Sequence, residues 1–209
     1  TLQSHVGLAF SEDPSFEPDG MDFLKSNADG AGKSIYQLNQ LALVGLLKHG
    51  RGGYLVDHPS VESGISKAQA ETMGLRPVIV HYDALSIINW RVKKVGGEYR
   101  LSLVVLHEIE NVVDPQDEFQ EKAVNVYRVL RLDENNRYSV QVYSDNTGEL
   151  IGSELIYPTR QGGNWDIIPF IFLGSQVNDS NIHDIPLEPL ANINLAHYRN
   201  SAEYEESVF

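Results

Sequence analysis

The sequence predicts an α+β fold: an antiparallel or mixed β-sheet, arranged as a meander over about residues 89–157, with flanking helices at about 34–49, 66–73 and 189–208. Three observations lead to this prediction. Apolar and polar residues alternate with a period of two through the middle of the chain, which is typical of strands that bury one face. Turn-forming residues interrupt that alternation repeatedly. In the flanking segments, apolar residues recur with helical spacing instead.

The first and second helices are predicted from their ends. Ser34 and Gln37 have the spacing of a capping box, in which each side chain binds the backbone N–H of the other. Gly50 is typical of a helix stop. Between them the apolar residues Ile35, Leu38, Ala42 and Leu46 fall on one face. Ser66 is placed to cap a shorter helix that runs to Met73 and ends at Gly74.

The third helix follows Pro186 and is predicted over 189–208. Its apolar residues recur at helical spacing, so we expect them to form a buried stripe. The stripe consists of Leu190, Ile193, Ala196 and Leu195.

Strands are predicted between turn signals at Gly96-Gly97, at 134–136 and at 146–148. A loop is expected around residues 114–117, and Pro169 favours an edge position or a bulge for the last strand. The predicted strands are 53–57, 78–82, 89–95, 98–110, 124–130, 138–143, 149–157 and 167–173.

We expect one domain over residues 1–209, without internal repeats. It divides into an acidic N-terminal loop region (1–33), a helix and strand region (34–88), a β-rich region (89–187) and the start of a helix (188–209). The missing initiator Met, and a final helix that is still in progress at the last residue, indicate a fragment of a longer chain.

Composition excludes some classes of function. The chain carries 29 Asp and Glu against 16 Lys and Arg, a formal net charge of −13. Proteins that grip duplex DNA neutralise phosphates with cations, so this chain is not expected to hold DNA tightly over most of its surface. It has no cysteine, which excludes disulfides and thiolate metal sites. No apolar run has the ~18 residues that predict a transmembrane helix.

Two motifs resemble catalytic or binding signatures but are incomplete. Gly32-Lys33-Ser34 ends like a phosphate-binding loop, yet Asn27 stands where the motif requires its first glycine. His107-Glu108 resembles part of a zinc-protease helix, but the second His is missing, and on a strand these two side chains point to opposite faces. We therefore predict no enzyme activity, no cofactor and no metal. Paired carboxylates stay open, since a chain so rich in acids forms such pairs by abundance.

Aromatic residues beside cations offer another interpretation, a stacking platform for single-stranded nucleic acid. Trp90-Arg91 and Tyr127-Arg128 are the nearest examples. Because neighbours on a strand face opposite ways, we expect each pair to be a core aromatic beside an exposed cation.

Three stretches carry a resemblance to a known family: LLKHGRGGYLVDHP at 46–59, IINWR at 87–91 and NLAHYRNSA at 194–202. In that order and at such separations, they resemble a family of phage and prophage proteins of unknown function. That family is similar in turn to the portal proteins of tailed phages. The resemblance spans roughly residues 35–209, and the last stretch is its most specific part.

The resemblance implies a structural role. Portal proteins form a ring, usually dodecameric, at one capsid vertex. A separate terminase motor pumps double-stranded DNA through the ring, and the head–tail proteins dock on it. The chain would then be the wing-type core of a portal subunit, found in the virion and in the host bacterial cytoplasm during assembly, with no catalytic residues. The helix from 189 would lead to a stem beyond residue 209.

Two alternatives remain at this point: an interaction module of the same fold that forms no ring, and an enzyme whose site forms only in three dimensions. Portal subunits meet through wing and stem, so the 209-residue chain alone is expected to be a monomer or small oligomer. Arg199 is the candidate interface residue. Its i,i+4 spacing to Glu203 suits a weak surface pair, and the functional interpretation is that it reaches an acidic group on a neighbouring subunit.

Overall fold

The computed structural model describes residues 2–12, 14–17, 19–59, 69, 72–114, 116–145, 150–160 and 163–208. Within them the protein is α+β, as predicted, with three α-helices and two antiparallel sheets. The helices are α1 Leu2–Ala9, α2 Ile35–His49 and α3 Glu188–Val208. None of these helices is both long and apolar enough to cross a membrane.

The chain forms two compact units, residues 53–171 and the remainder (1–52 with 172–209). The strands are β1 Arg51–Asp57, β2 Val78–Asp83, β3 Ile87–Val95, β4 Glu98–Asp114, β5 Asp117–Leu132, β6 Tyr138–Asp145, β7 Leu150–Gly152, β8 Thr159–Arg160, β9 Gly163–Asn164 and β10 Phe170–Gly174. The expectation of a single portal-type domain stays a prediction.

The unit formed by the two chain ends contains the helices. The region 1–33, predicted to be loop, in fact begins with α1 and includes a 3-10 turn at Asp22–Lys25. Its acidic residues and prolines obscured these short elements, whose only core contributions are single apolar residues. Those residues are Val6 and Leu24, buried with Ala28, Leu38 and Ala42.

Both predicted ends of α2 are confirmed. The Ser34 hydroxyl accepts the Gln37 N–H at 3.3 Å, and the Gln37 side-chain oxygen accepts the Ser34 N–H at 2.9 Å. Gly50 ends the helix in the left-handed conformation, with φ of 73°. A Cβ at Gly50 would also lie 2.9 Å from the backbone oxygen of His183, so glycine is required there for space as well as for conformation.

The third predicted helix is present, but its predicted burial is wrong. Residues 188–207 are all exposed, including the apolar stripe. Leu190 is 37% exposed and Ile193 66% exposed, and Leu195 is exposed as well. Helical spacing shows that a stripe exists, but it does not show that the same chain covers it.

The other unit is built on the predicted meander. β3, β4, β5, β6 and β7 lie side by side in sequence order, each antiparallel to the next, in a sheet that curls into a half-barrel. One face of this sheet is packed. Its fully buried residues are Val104, Leu106, Val126 and Leu130.

A three-stranded sheet has the order β10-β1-β2. β10 lies at its edge, as Pro169 predicted, and the carbonyl of Pro169 accepts a hydrogen bond from the N–H of Val56. Gly53 in β1 faces the Phe170 ring so closely that a Cβ there would lie 2.2 Å from a ring carbon. The close approach of strand and ring therefore requires glycine at this position.

Several predicted boundaries need correction. Residues 111–114 continue β4, and β5 begins at Asp117 rather than at 124. Of the described part of the predicted strand 149–157, residues 150–157, only Leu150–Gly152 is a strand, with one further bridge between Ile156 and Val140. The last strand begins at Phe170 instead of 167. The turn at 146–148 lies outside the described residues, as does the helix 66–73 apart from Gln69, Thr72 and Met73.

Candidate functional site: exposed strands and an exposed helix

The densest group of charged side chains lies at the packed face of the meander. The Arg128 guanidinium donates to both carboxylate oxygens of Glu108, at 2.7 and 3.2 Å, and to Asp57 at 3.4 Å. The Tyr82 hydroxyl donates to the same Glu108 carboxylate. The side chains of Arg128, Glu108 and Asp57 are 23%, 18% and 40% exposed. Strands of both sheets thus meet in one ion network.

This network is suited to holding the sheets together rather than to proton transfer. Burial raises the pKa of the Tyr82 hydroxyl well above its ordinary value, and the hydrogen bond to Glu108 raises it further. Burial would lower the pKa of Arg128, but hydrogen bonding and attraction to Glu108 outweigh it, so the pKa is raised. Arg128 therefore stays charged and Tyr82 neutral near pH 7, where a general acid or base must titrate.

The segment Gly32-Lys33-Ser34 forms an anchored loop in which the backbone donors already have partners. Asp29 accepts the N–H groups of Ala31 and Lys33, and Asn27 accepts that of Gly32. The Lys33 ammonium lies 3.1 Å from the other Asp29 oxygen. A phosphate loop needs these donors free for its ligand. The arrangement fits the prediction that no nucleotide binds here.

His107 and Glu108 point to opposite faces of β4, as predicted. His107 is hydrogen-bonded to the Asn125 side chain at 2.9 Å and packs against the Tyr127 ring, whereas Glu108 joins the ion network. Tyr127 and Arg128 also face opposite ways, but the expectation that the cation of this pair is the exposed member is wrong. Among the described residues, no group of three or more His, Asp or Glu side chains could hold a metal ion.

A second polar cluster, which sequence reasoning missed, lies in the helical unit. Arg51 is buried, with its guanidinium 4.7 Å from the centre of the Phe172 ring. Burial lowers the Arg51 pKa, and attraction to Asp179 opposes that effect. Asp179 is hydrogen-bonded to His183 at 2.9 Å. This arrangement ties the loop after β10 to the start of β1, within the same unit, and is most simply structural.

A group of exposed apolar side chains lies where β4 and β5 extend beyond the strands on either side of them. β3 pairs with β4 only as far as Leu106, and β6 pairs with β5 only from Asn125. We call residues 109–122, beyond both limits, the distal ribbon. Within the described residues its two outer edges have no strand partner. Phe119 is 89% and Ile109 65% exposed, and Val112 and Val113 are exposed too.

The distal ribbon is also strongly acidic. Lys122 is its single cation, against five acidic residues: Glu110, Asp114, Asp117, Glu118 and Glu121. A two-stranded ribbon has marginal stability in water by itself, and unpaired edges with exposed apolar residues favour association. The sequence predicted a loop around residues 114–117, within the distal ribbon, so this surface was not predicted.

The second exposed surface is α3, which carries Arg199. The Arg199 side chain makes no hydrogen bond or ion pair with other described residues, and the pair with Glu203 that their spacing suggested is not formed. The last turn of α3 holds acidic residues and no basic one, which opposes the helix dipole. A helix of this kind gains little stability without a packing partner. Arg199 is thus available to a partner, as the interface interpretation requires.

The chain matches no model of a known protein family, and no curated protein resembles it closely enough in sequence to indicate a relationship. Any functional assignment therefore depends on the residues themselves.

Proposed function

We propose that this chain is a structural assembly subunit of the portal type, a wing-type core that takes part in the ring at the head-to-tail vertex of a tailed phage. Double-stranded DNA would pass through that ring without tight binding, and terminase and head–tail proteins would dock on it. The proposed location is the virion, and the host bacterial cytoplasm during assembly. The proposal of a portal subunit in particular rests on the sequence resemblance of the stretches 46–59, 87–91 and 194–202.

The structural observation that carries the proposal is the distal ribbon. Its exposed apolar side chains, above all Phe119 and Ile109, and its unpaired edges among the described residues form a surface suited to a protein partner. The exposed helix α3, whose Arg199 has no ion-pair partner among the described residues, is a second surface of the same kind. Two such surfaces on one chain suit a subunit that must contact more than one neighbour.

Charge supports the same assignment. A channel through which duplex DNA slides must make few contacts with phosphates, because each contact strengthens the binding of DNA. The net charge of −13 suits such weak interaction. In the main charged cluster, the raised pKa values keep Arg128 charged and Tyr82 neutral near pH 7, which supports a structural role for these two groups.

An interaction module of the same fold that forms no ring is the second candidate, since the same exposed surfaces would serve it. Electron microscopy of the complete product of the gene that encodes this chain separates the two. The expected result is a closed ring with a central hole. Particles that stay monomeric at every concentration and salt tested would contradict the portal proposal and favour the module. The 209-residue chain is tested in parallel by light scattering, where a monomer or small oligomer is expected.

A further inference from the structure

The meander carries opposite charges at the two ends of β4. At the end where β4 begins, residues 91–100 hold four cations, Arg91, Lys93, Lys94 and Arg100, against Glu98 alone, a net charge of +3 in a chain of −13. At the other end, the distal ribbon holds five acids and one lysine, a net charge of −4. From Tyr99 to Val113 the strand spans roughly 45 Å at its usual rise.

The basic end, residues 91–100, also carries an exposed aromatic residue beside its cations. Lys94 lies directly opposite Tyr99 in the strand register, and Tyr99 is 76% exposed. Arg91 and Lys94 are exposed, and neither side chain is ion-paired within the described part of the chain. Cations beside an aromatic ring form a surface that receives carboxylates and apolar side chains together.

We propose that the distal ribbon of one copy docks on the basic end of a second copy, in a head-to-tail contact. Phe119 and Ile109 would pack near Tyr99, and the ribbon carboxylates would pair with Arg91 and Lys94. The two surfaces differ, so the contact is heterologous, and repetition of such a contact gives a closed ring or an open chain. This inference rests on the proposed assembly function and names the surfaces that would serve it.

Charge complementarity favours a second copy over nucleic acid as the occupant of the basic end. The same chain presents an acidic and apolar surface of matching character, whereas its net charge of −13 repels a polyanion. Phosphate would satisfy the cations but leave the apolar side chains of the ribbon exposed. A second copy satisfies both surfaces at once.

Cross-linking tests the contact directly, because the chain has no native cysteine. Gly97→Cys marks the basic end at an exposed turn where a Cβ meets no atom within 4 Å. Gln116→Cys marks the exposed turn of the ribbon. The two variants are mixed with a short bismaleimide at low salt. We expect the mixed dimer to exceed the two self-linked dimers by about tenfold, and to be lost at about 0.5 M salt, where charges are screened.

Matched variants establish that charge drives the contact. Replacing Gly97→Cys by the exposed control Glu154→Cys should abolish the mixed product. Arg91→Glu with Lys94→Glu in the Gly97→Cys copy should lower the yield about tenfold, and Asp117→Lys with Glu118→Lys in the other copy should restore it. Circular dichroism checks that every variant is folded.

Several outcomes overturn the inference: equal yields from all three pairings, a mixed yield that charge reversal does not change, or duplex DNA bound at the basic end with no mixed dimer. Microscopy separates this inference from the proposed function. Rings without the cross-link would reject this contact and leave the portal proposal in place. The cross-link without rings would support the contact and count against the ring.

Discussion

Removal of the Arg128 guanidinium gives the sharpest test of how the fold is held together. Arg128→Met keeps most of the apolar stem and deletes the group that binds Glu108 at 2.7 and 3.2 Å and Asp57 at 3.4 Å. The variant leaves a carboxylate that is only 18% exposed without its counter-charge. Removing one partner of a fully buried pair costs about 3–5 kcal/mol, and the partial exposure here reduces that to about 2–3 kcal/mol.

The assay is urea unfolding followed by tryptophan fluorescence. Both tryptophans, Trp90 and Trp165, lie in the unit that contains the network, so the signal reports that unit. With a urea slope of about 2 kcal/mol per molar, the expected loss lowers the midpoint by about 1–1.5 M. Adding Glu108→Leu should recover part of the loss, because the unpaired carboxylate is then gone.

Arg100→Met is the matched control. Arg100 also bonds two carboxylates, those of Glu98 and Asp166, but both are more than 70% exposed. Such surface pairs contribute little, so the midpoint should not move measurably. If Arg128→Met lowers the midpoint no more than Arg100→Met does, the network does not hold the two sheets together and the reasoning is refuted.

Three further predictions concern pH, nucleotide and assembly. Because the pKa of Tyr82 is raised in the folded protein, its contribution to the free energy of unfolding is complete below about pH 10 and falls as the pH rises above that value. Tyr82→Phe should reduce the fall in the free energy of unfolding, measured in urea titrations, by up to about 1.4 kcal/mol per pH unit, and an unchanged pH dependence would contradict this prediction. Calorimetric titration with ATP and magnesium should give no saturable heat, and binding tighter than about 100 μM that Lys33→Ala abolishes would disprove this. Arg199→Ala should leave the thermal midpoint unchanged, because its side chain contacts no described partner, while impairing ring formation by the complete gene product; a loss of several degrees would show a role in its own fold.

The parts of the fold that local chemistry determines were predictable. The caps of α2 require only Ser34, Gln37 and Gly50, and the hairpin at Gly96-Gly97 requires a left-handed residue, which Gly96 supplies with φ of 65°. Pro169, which has no N–H to donate, comes directly before β10, and β10 lies at the edge of its sheet as predicted. In each case the signal lies within a few residues of the feature.

The candidate surfaces were not predictable for two different reasons. In the strand from Asp117 to Ala123, Phe119 is the one large apolar residue, so no alternation indicates a strand there, and the segment pairs with the continuation of β4. For α3 the helical spacing was predicted correctly, but the stripe is exposed, because spacing alone does not show which surface, if any, covers it. The Arg128 network joins residues as far as 71 positions apart, from Asp57 to Arg128, which no local pattern can indicate.

The topology of the two sheets favours one order of folding. Each strand of the meander pairs with its neighbour in sequence, whereas β1 and β10 lie about 110 residues apart along the chain. Closing a loop of that length costs roughly 3 kcal/mol more than closing a short turn, and this cost precedes any gain from pairing. During synthesis, β1 leaves the ribosome long before β10 exists. The meander can form in the interval and shorten the remaining loop, so we expect the pairing of β1 with β10 to be the last step of folding.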